Sequence, residues 1–331
     1  MHMKVAFFDT KPYDIPGFDK YAVPAGIEIK YYESHLNIDT VSLAAGFDAV
    51  CVFVNDNLSA EVVEKLHEMG VKAILLRCAG FNNVDLKACA GKLRIFRVPA
   101  YSPHAVAEHA MALLLTVNRR THKAHIRTRE FNFSLQGLTG FDLYGKTVGI
   151  IGTGKIGRVF ADICRGFGMK VLAYDKFPNP EAGLDYVELD ELFEKSDVIS
   201  LHCPLTVETD HLIRSGSIRR MKDGVVIVNT SRGGLVNTED LIQGLRSGKI
   251  GAACLDVYEE EGDVFYEDLS GHILQDDKLV RLIAMPNVIV TSHQAFLTKE
   301  ALDNIAHTTV NNLVRFAEGN PDKDTEVVYQ K

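Results

Sequence analysis

The apolar run Val225–Val228 leads into Asn229-Thr230-Ser231-Arg232-Gly233-Gly234, and Ala252–Leu255 leads into Asp256-Val257-Tyr258-Glu259-Glu260-Glu261. A third run, Val288–Thr291, leads into Ser292-His293-Gln294-Ala295-Phe296. An arginine, a glutamate and a histidine therefore each follow a short strand pattern, and open α/β sheets bind ligands beyond the carboxyl ends of their strands. A guanidinium fork can grip a carboxylate through two parallel hydrogen bonds. An imidazole exchanges a proton near neutral pH, and a neighbouring carboxylate favours its charged form. Together Arg232, Glu261 and His293 suit a 2-oxo acid, with general-acid help worth about 10²–10⁴ in rate. Taken singly, each also fits a surface ion pair: Glu261 is one of three consecutive glutamates and His293 one of twelve histidines.

A second constellation lies upstream. Val148-Gly149-Ile150-Ile151 runs into Gly152-Thr153-Gly154-Lys155-Ile156-Gly157, a strand followed by Gly-x-Gly-x-x-Gly and a helical stretch. Gly152 permits a tight turn, Gly154 lets backbone approach a pyrophosphate, and Gly157 lets the helix pack close to the strand. The helix start aims free N–H groups at the phosphates. A lone glycine triplet is weak, but the next strand pattern, Lys170–Tyr174, ends at Asp175, 18 residues past Gly157. A carboxylate there accepts hydrogen bonds from adenosine ribose hydroxyls and repels a 2′-phosphate, which favours NAD over NADP. The adjacent Lys176 leaves room for some NADPH use.

These residues need a scaffold, and its rhythm is visible. Strand patterns at Val5–Phe8, Ile27–Tyr32, Ala49–Val54, Val71–Leu76 and Leu93–Val98 alternate with helical stretches such as Ser59–Met69, where Ser59 is the expected N-cap. A second series recurs near 147–151, 170–174, 198–202, 225–229, 251–255 and 287–291. Alternation of this kind predicts mostly parallel sheets with helices on their faces. Pro99 and Pro103 separate the series and precede a long helix from about His104 to Asn118; helix plus loop then fills 119–145. A last helix, Lys299–Glu318, has one apolar face. The tail from Asn320 is polar and reads as loose. The acid-rich segment 259–277 reads as a solvated loop or as cover for a cleft or an oligomer contact.

The chain has 331 residues, enough for about two domains of ordinary size. Its net charge of −8 disfavours nucleic acid and anionic membrane, both of which need a basic face. No run approaches the length of a membrane span, and the start shows no basic, apolar and cleavage pattern of an export signal. Six scattered cysteines without a Cys-x-x-Cys pair suit a reduced, cytoplasmic protein. No metal site is expected.

Eight motifs in order carry a resemblance. They are Arg77–Asp85, Val98–Pro103, Ala105–His109, Gly152–Gly157, His202–Leu205, Asn229–Gly233, Leu255–Glu261 and Ser292–Phe296. From Val5 to about Gly319 the chain resembles the D-isomer-specific 2-hydroxyacid dehydrogenases, and within them the bacterial fermentative D-lactate dehydrogenases. The resemblance implies an α/β protein of two Rossmann-like or flavodoxin-like, doubly wound parallel-sheet domains with a cleft between them. It makes the substrate domain discontinuous, 1–100 plus 297–331, around an NAD-binding domain at 101–296. It also implies that Arg232 binds the substrate carboxylate, that His293 is the acid/base and that Glu261 tunes it. Ala79 and Gly80 would hold the carboxylate from a backbone loop, and Tyr101 and Phe296 would shape the pocket. Val106, Lys155, Ile156, Asp175, Cys203, Pro204, Thr209, Thr230, Ser231 and Asp256 would join the glycines around NAD. Many relatives carry other residues at 155 and 209. Gln294-Ala295-Phe296 after the histidine suits a small methyl-bearing substrate, so pyruvate and D-lactate are expected. Phenylpyruvate or another larger 2-oxo acid is the alternative, and an NAD-sensing corepressor-like binding protein is a remote one. A homodimer or homotetramer is the implied assembly.

Overall fold

Every β-branched run of the first hundred residues forms a short strand: β1 (Met3–Phe7), β2 (Ile27–Tyr31), β3 (Ala49–Val52), β4 (Ala73–Leu76) and β5 (Arg94–Phe96). After the long helix Pro103–Arg119 come β6 (Thr147–Ile151), β7 (Lys170–Tyr174), β8 (Asp185–Tyr186) and β9 (Val198–Leu201). They are followed by β10 (Val225–Asn229), β11 (Ile250–Leu255), β12 (Val288–Val290) and β13 (Glu326–Val327). The computed structural model describes residues 3–329, with backbone alone at 263. The chain divides into two units, one running to Ser102 and resuming at Leu297, the other Pro103–Phe296.

The first unit holds a six-stranded sheet in the order β13-β5-β4-β3-β1-β2. Its core contains the fully buried Phe7, Phe8, Leu36, Leu66, Ile74 and Phe96. The helix Lys299–Ala317 belongs here because its apolar face has nowhere else in this unit to go: Ile305, Val310 and Leu313 are buried, and the Phe316 ring lies 5.6 Å from that of Phe96. Burying each such side chain is worth about 1.5–3 kcal/mol. Thr298 caps this helix by accepting the Ala301 N–H at 3.2 Å. Ser59 occupies the expected N-cap of the helix Ala60–Glu68 but makes no side-chain cap bond.

The polar tail is not loose. β13 pairs antiparallel with β5 through Glu326 opposite Phe96 and Val327 opposite Ile95. The cause is a polar seam: the buried Thr325 hydroxyl donates to Asn312 Oδ1 at 2.8 Å, and the Asn312 amide donates to the Arg97 carbonyl at 3.1 Å.

The second unit holds an all-parallel, seven-stranded sheet in the order β12-β11-β10-β9-β6-β7-β8. Winding goes one way from β6 to β8 and the other way from β9 to β12, so the switch point falls between β6 and β9. One cluster packs Met111, Leu114, Phe160 and Cys164 with Val148 and Ile150; another packs Leu192, Ile199, Ile227, Leu241 and Leu255. Among the described residues no helix is long and apolar enough to cross a membrane.

Candidate active site

Beyond β6 the chain turns through Gly152, Thr153 and Gly154 into the helix Lys155–Gly166. Gly152 has φ +95°, and a Cβ there would stand 2.5 Å from the Cys203 nitrogen. A Cβ at Gly157 would stand 2.0 Å from the Gly152 carbonyl oxygen. Those two glycines are demanded by the protein's own packing. Gly154 is different, because a Cβ there would meet no atom of the described residues within 4 Å. Nothing in the fold needs glycine at that N-cap, whereas a closely approaching pyrophosphate does. Lys155 is exposed in the first turn, and the half-buried Ile156 packs on the core below.

Asp175 follows β7 and is held in place by the glycine turn itself. Its Oδ2 accepts the Thr153 N–H at 2.6 Å and the Thr153 hydroxyl at 3.0 Å, and its Oδ1 accepts the Phe177 N–H at 2.9 Å. A carboxylate has about four acceptor sites, so ribose hydroxyls can still be received. Lys176, which left room for a 2′-phosphate, is paired instead with Glu208.

The β9 and β10 ends close the same side of the unit. Cys203 is buried, and its thiol is pushed up to about 11 by that burial. His202 packs on Phe160 at 5.0 Å, with its Nε2 2.9 Å from the Ser200 hydroxyl, and burial pushes its imidazole down to about 3. Thr209 binds the Pro204 carbonyl at 2.7 Å and so shapes its own loop. The Ser231 hydroxyl donates to the Cys203 carbonyl at 2.7 Å, joining the β9 and β10 loops. Among the described residues, Thr230 Oγ1 is buried without a hydrogen-bond partner. A buried hydroxyl left unpaired is costly, so an orphan beside the glycine-loop side of the sheet fits a polar ligand.

The three strands β10, β11 and β12 are neighbours in register, Asn229 beside Leu255 and Leu255 beside Val290. Their loops are stitched together. The buried Asn229 donates to the Arg232 carbonyl at 2.8 Å and accepts the Ser231 N–H at 3.1 Å, which bends the chain and presents Arg232 half-buried. Gly233 must be glycine, since a Cβ would lie 2.0 Å from the Tyr258 carbonyl oxygen. The Arg232 turn is thereby pressed against the segment that carries Glu261.

His293 adopts φ +50°, a left-handed backbone that costs a non-glycine residue energy and often marks a functional position. Its N–H reaches the Asp256 carbonyl at 2.7 Å, and its Nδ1 lies 2.8 Å from Glu261 Oε1. The other Glu261 oxygen accepts the Tyr258 N–H at 2.9 Å. Asp256 is fully buried, and its carboxylate accepts from the Thr291 hydroxyl at 2.6 Å, the Gln294 N–H at 2.9 Å and the Ala295 N–H at 2.8 Å. Such a carboxylate holds the loop that bears His293. His109 Nε2, from the helix Pro103–Arg119, lies 3.3 Å from Asp256 Oδ1, the oxygen that accepts from Thr291 and Gln294.

The remaining candidates fall on both units. Val106 and Phe296 are buried in the second. Ala79, Gly80 and Tyr101 lie in the first, beyond β4 and β5. The Ala79 carbonyl accepts from Arg97 at 3.0 Å, and the Tyr101 carbonyl accepts from Asn304 at 2.8 Å.

Three supporting residues were given no role by the sequence. His109 and Thr291 converge on Asp256 across 182 positions. Tyr266, in the acid-rich segment, donates its hydroxyl to the His293 carbonyl at 3.0 Å. That segment is therefore tied to the His293 loop through Tyr266.

Comparison with known proteins places the chain in a family. Residues 111–295 match the model of the D-isomer specific 2-hydroxyacid dehydrogenase NAD-binding domain. A 2-hydroxyacid dehydrogenase homolog of Haemophilus influenzae is 53% identical over 96% of this chain and 97% of its own length. The D-lactate dehydrogenase of Escherichia coli is 51% identical over 96% of this chain and 98% of its own length. A solved structure described as the pyruvate reductase of Chlamydomonas reinhardtii superimposes with a TM-score of 0.92 at 44% identity, covering 97% of this chain and 98% of that one.

Proposed function

This chain belongs to the D-isomer-specific 2-hydroxyacid dehydrogenases, an NAD-dependent oxidoreductase family, and within it we propose that pyruvate and D-lactate are its substrate pair. The observation that carries the reading is the 2.8 Å contact between His293 Nδ1 and Glu261 Oε1, on loops adjoining the Arg232 turn. The names of two similar proteins, a D-lactate dehydrogenase and a pyruvate reductase, support this substrate pair.

Arg232 binds the pyruvate carboxylate through its guanidinium fork and polarises the adjacent carbonyl. Phe296 bounds the methyl side. With Nδ1 given to Glu261, His293 delivers its proton from Nε2 to the carbonyl oxygen, and takes it back in the oxidative direction. Glu261 keeps the imidazole oriented. Gly152–Gly157, Asp175, Cys203, Pro204, Thr230 and Ser231 would hold NADH, which would supply the hydride for the carbonyl carbon. Val106 would face the nicotinamide, and Asp256 fixes the loop that aims His293.

On this reading the enzyme is cytoplasmic, in keeping with its six buried, free cysteines. It is also a homo-oligomer, which the exposed Phe131, Phe133 and Leu135 favour.

The test is a chirally resolved assay of the product from pyruvate and NADH, run beside phenylpyruvate and hydroxypyruvate. D-lactate with pyruvate ranking first in kcat/KM is expected. L-lactate, or pyruvate ranking last, overturns the assignment.

A further inference from the structure

His211 is bound to two loops at once. Its backbone N–H donates to the Gly234 carbonyl at 2.8 Å, in the turn that carries Arg232. Its Nε2 lies 2.6 Å from Glu259 Oε1, in the segment that carries Glu261. Both bonds depend on the backbone at 211, which has φ +48° and so turns the N–H and the side chain toward different neighbours. The contact continues along the chain, since the Ile213 N–H reaches the Leu235 carbonyl at 2.9 Å and the Asn237 N–H returns to the Ile213 carbonyl at 2.9 Å.

Glu259 is equally committed. Its second oxygen accepts the N–H of Thr238, the first residue of the helix Thr238–Ser247, at 3.1 Å. Burial opposes ionisation of Glu259, but the bonds from Thr238 and His211 outweigh it and hold the carboxyl below the usual glutamate range. The two side chains are only 33% and 22% exposed, so this is a sheltered pair rather than a solvated ion pair of little worth. Asp210, at 3.8 Å from His211 Nδ1, is the other acid facing the ring.

We propose that His211 and Glu259 form a positioning pair for the 2-oxo-acid site, strapping the Arg232 turn to the Glu261 segment. The carboxylate grip and the proton donor must sit at a fixed separation to act on one small molecule, because misplacement by about 1 Å costs up to about 100-fold in rate. Gly233 against Tyr258 supplies contact between the two segments, and contact alone resists approach but not separation. The His211–Glu259 bond resists separation. Neither residue touches substrate; each acts through Arg232 and Glu261.

The inference rests on the reading of Arg232, Glu261 and His293 given above, so its test runs the wild-type enzyme alongside. His211→Asn keeps a residue that tolerates the left-handed backbone but cannot reach Glu259. His211→Gln places an amide N–H near the position of Nε2 and can restore the bond. We expect kcat/KM for pyruvate to fall about tenfold in His211→Asn, with the Kd for NADH within twofold of wild type, and His211→Gln to recover most of the loss. Binding of oxamate, an isostere of pyruvate, should weaken in parallel. Unchanged kcat/KM in a folded His211→Asn enzyme overturns the proposal, as does His211→Gln being no better than His211→Asn. Should His211→Asn not fold, Glu259→Gln read by the same two binding measurements decides: equal loss of NADH and oxamate binding overturns it. A wild-type enzyme inert toward pyruvate would fail the functional reading itself, a separate result.

Discussion

Glu261 divides its carboxylate between two partners: Oε1 lies 2.8 Å from His293 Nδ1, and Oε2 accepts the Tyr258 N–H at 2.9 Å. A glutamate free at both oxygens could follow the imidazole as it moved. One anchored to backbone cannot, so it dictates where the ring points and which nitrogen faces the substrate.

Glu261→Gln keeps the shape of that anchor and removes the charge. The imidazole loses its anionic partner and the Nδ1 contact that sets its orientation. We expect kcat to drop about 10–100-fold with NADH affinity retained. Stopped-flow turnover and NADH titration check both; an unchanged kcat would mean that Glu261 only packs beside the ring.

Asp175 is oriented by Thr153 from within the glycine turn, so its carboxylate is in place before a nucleotide arrives. Asp175→Ala should raise the KM for NADH about tenfold or more and leave that for NADPH nearly unchanged, since the loss of a repulsive charge offsets the loss of ribose contacts. Equal changes for both cofactors would dissociate Asp175 from the ribose. A nucleotide-free unfolding measurement separates the cost of the lost Thr153 bonds.

His202 gives a pH dependence with a definite sign. Its imidazole titrates near 3 when folded because burial disfavours the charged form, against about 6.5 in the unfolded chain. The unfolded chain therefore binds the extra proton first, and stability present above pH 6.5 is lost as pH falls toward 3. Between pH 7 and 5 this single group costs about 2 kcal/mol. Urea unfolding of wild type and His202→Gln at both pH values should show a shallower loss in the variant, whatever its absolute stability.

How much of this was legible in sequence follows from how local each determinant is. The parallel sheets were legible because Val225–Val228 or Ile27–Tyr32 announce a strand from their own residues. β8 and β13 were not, since two residues carry no periodicity, and β13 exists through Thr325 and Asn312 and the edge of β5. Arg232, Glu261 and His293 could be nominated because each follows an apolar run. What holds them could not be: the donors to Asp256 at 294 and 295 are backbone groups, and His211 finds Glu259 48 residues away. Side-chain types and spacing mark the residues that meet a ligand, while the bonds that fix them belong to loop conformation.

The glycine turn separates what the fold needs from what the ligand needs. At Gly157 an added methyl group would sit 2.0 Å from the Gly152 carbonyl oxygen, a backbone atom that cannot yield without opening the turn. Gly157→Ala should therefore lower stability by about 1–3 kcal/mol and weaken NADH together with it. At Gly154 the same methyl group meets no atom of the described residues within 4 Å. Gly154→Ala should melt within about 2 °C of wild type, as expected for a substitution of less than 0.5 kcal/mol, yet bind NADH at least tenfold more weakly, because the methyl group occupies the approach to the helix N-terminus. Thermal unfolding and fluorescence titration of the two variants form one experiment. A Gly154→Ala protein that binds NADH normally would remove the pyrophosphate from that N-cap, whereas loss of binding without loss of stability fixes it there.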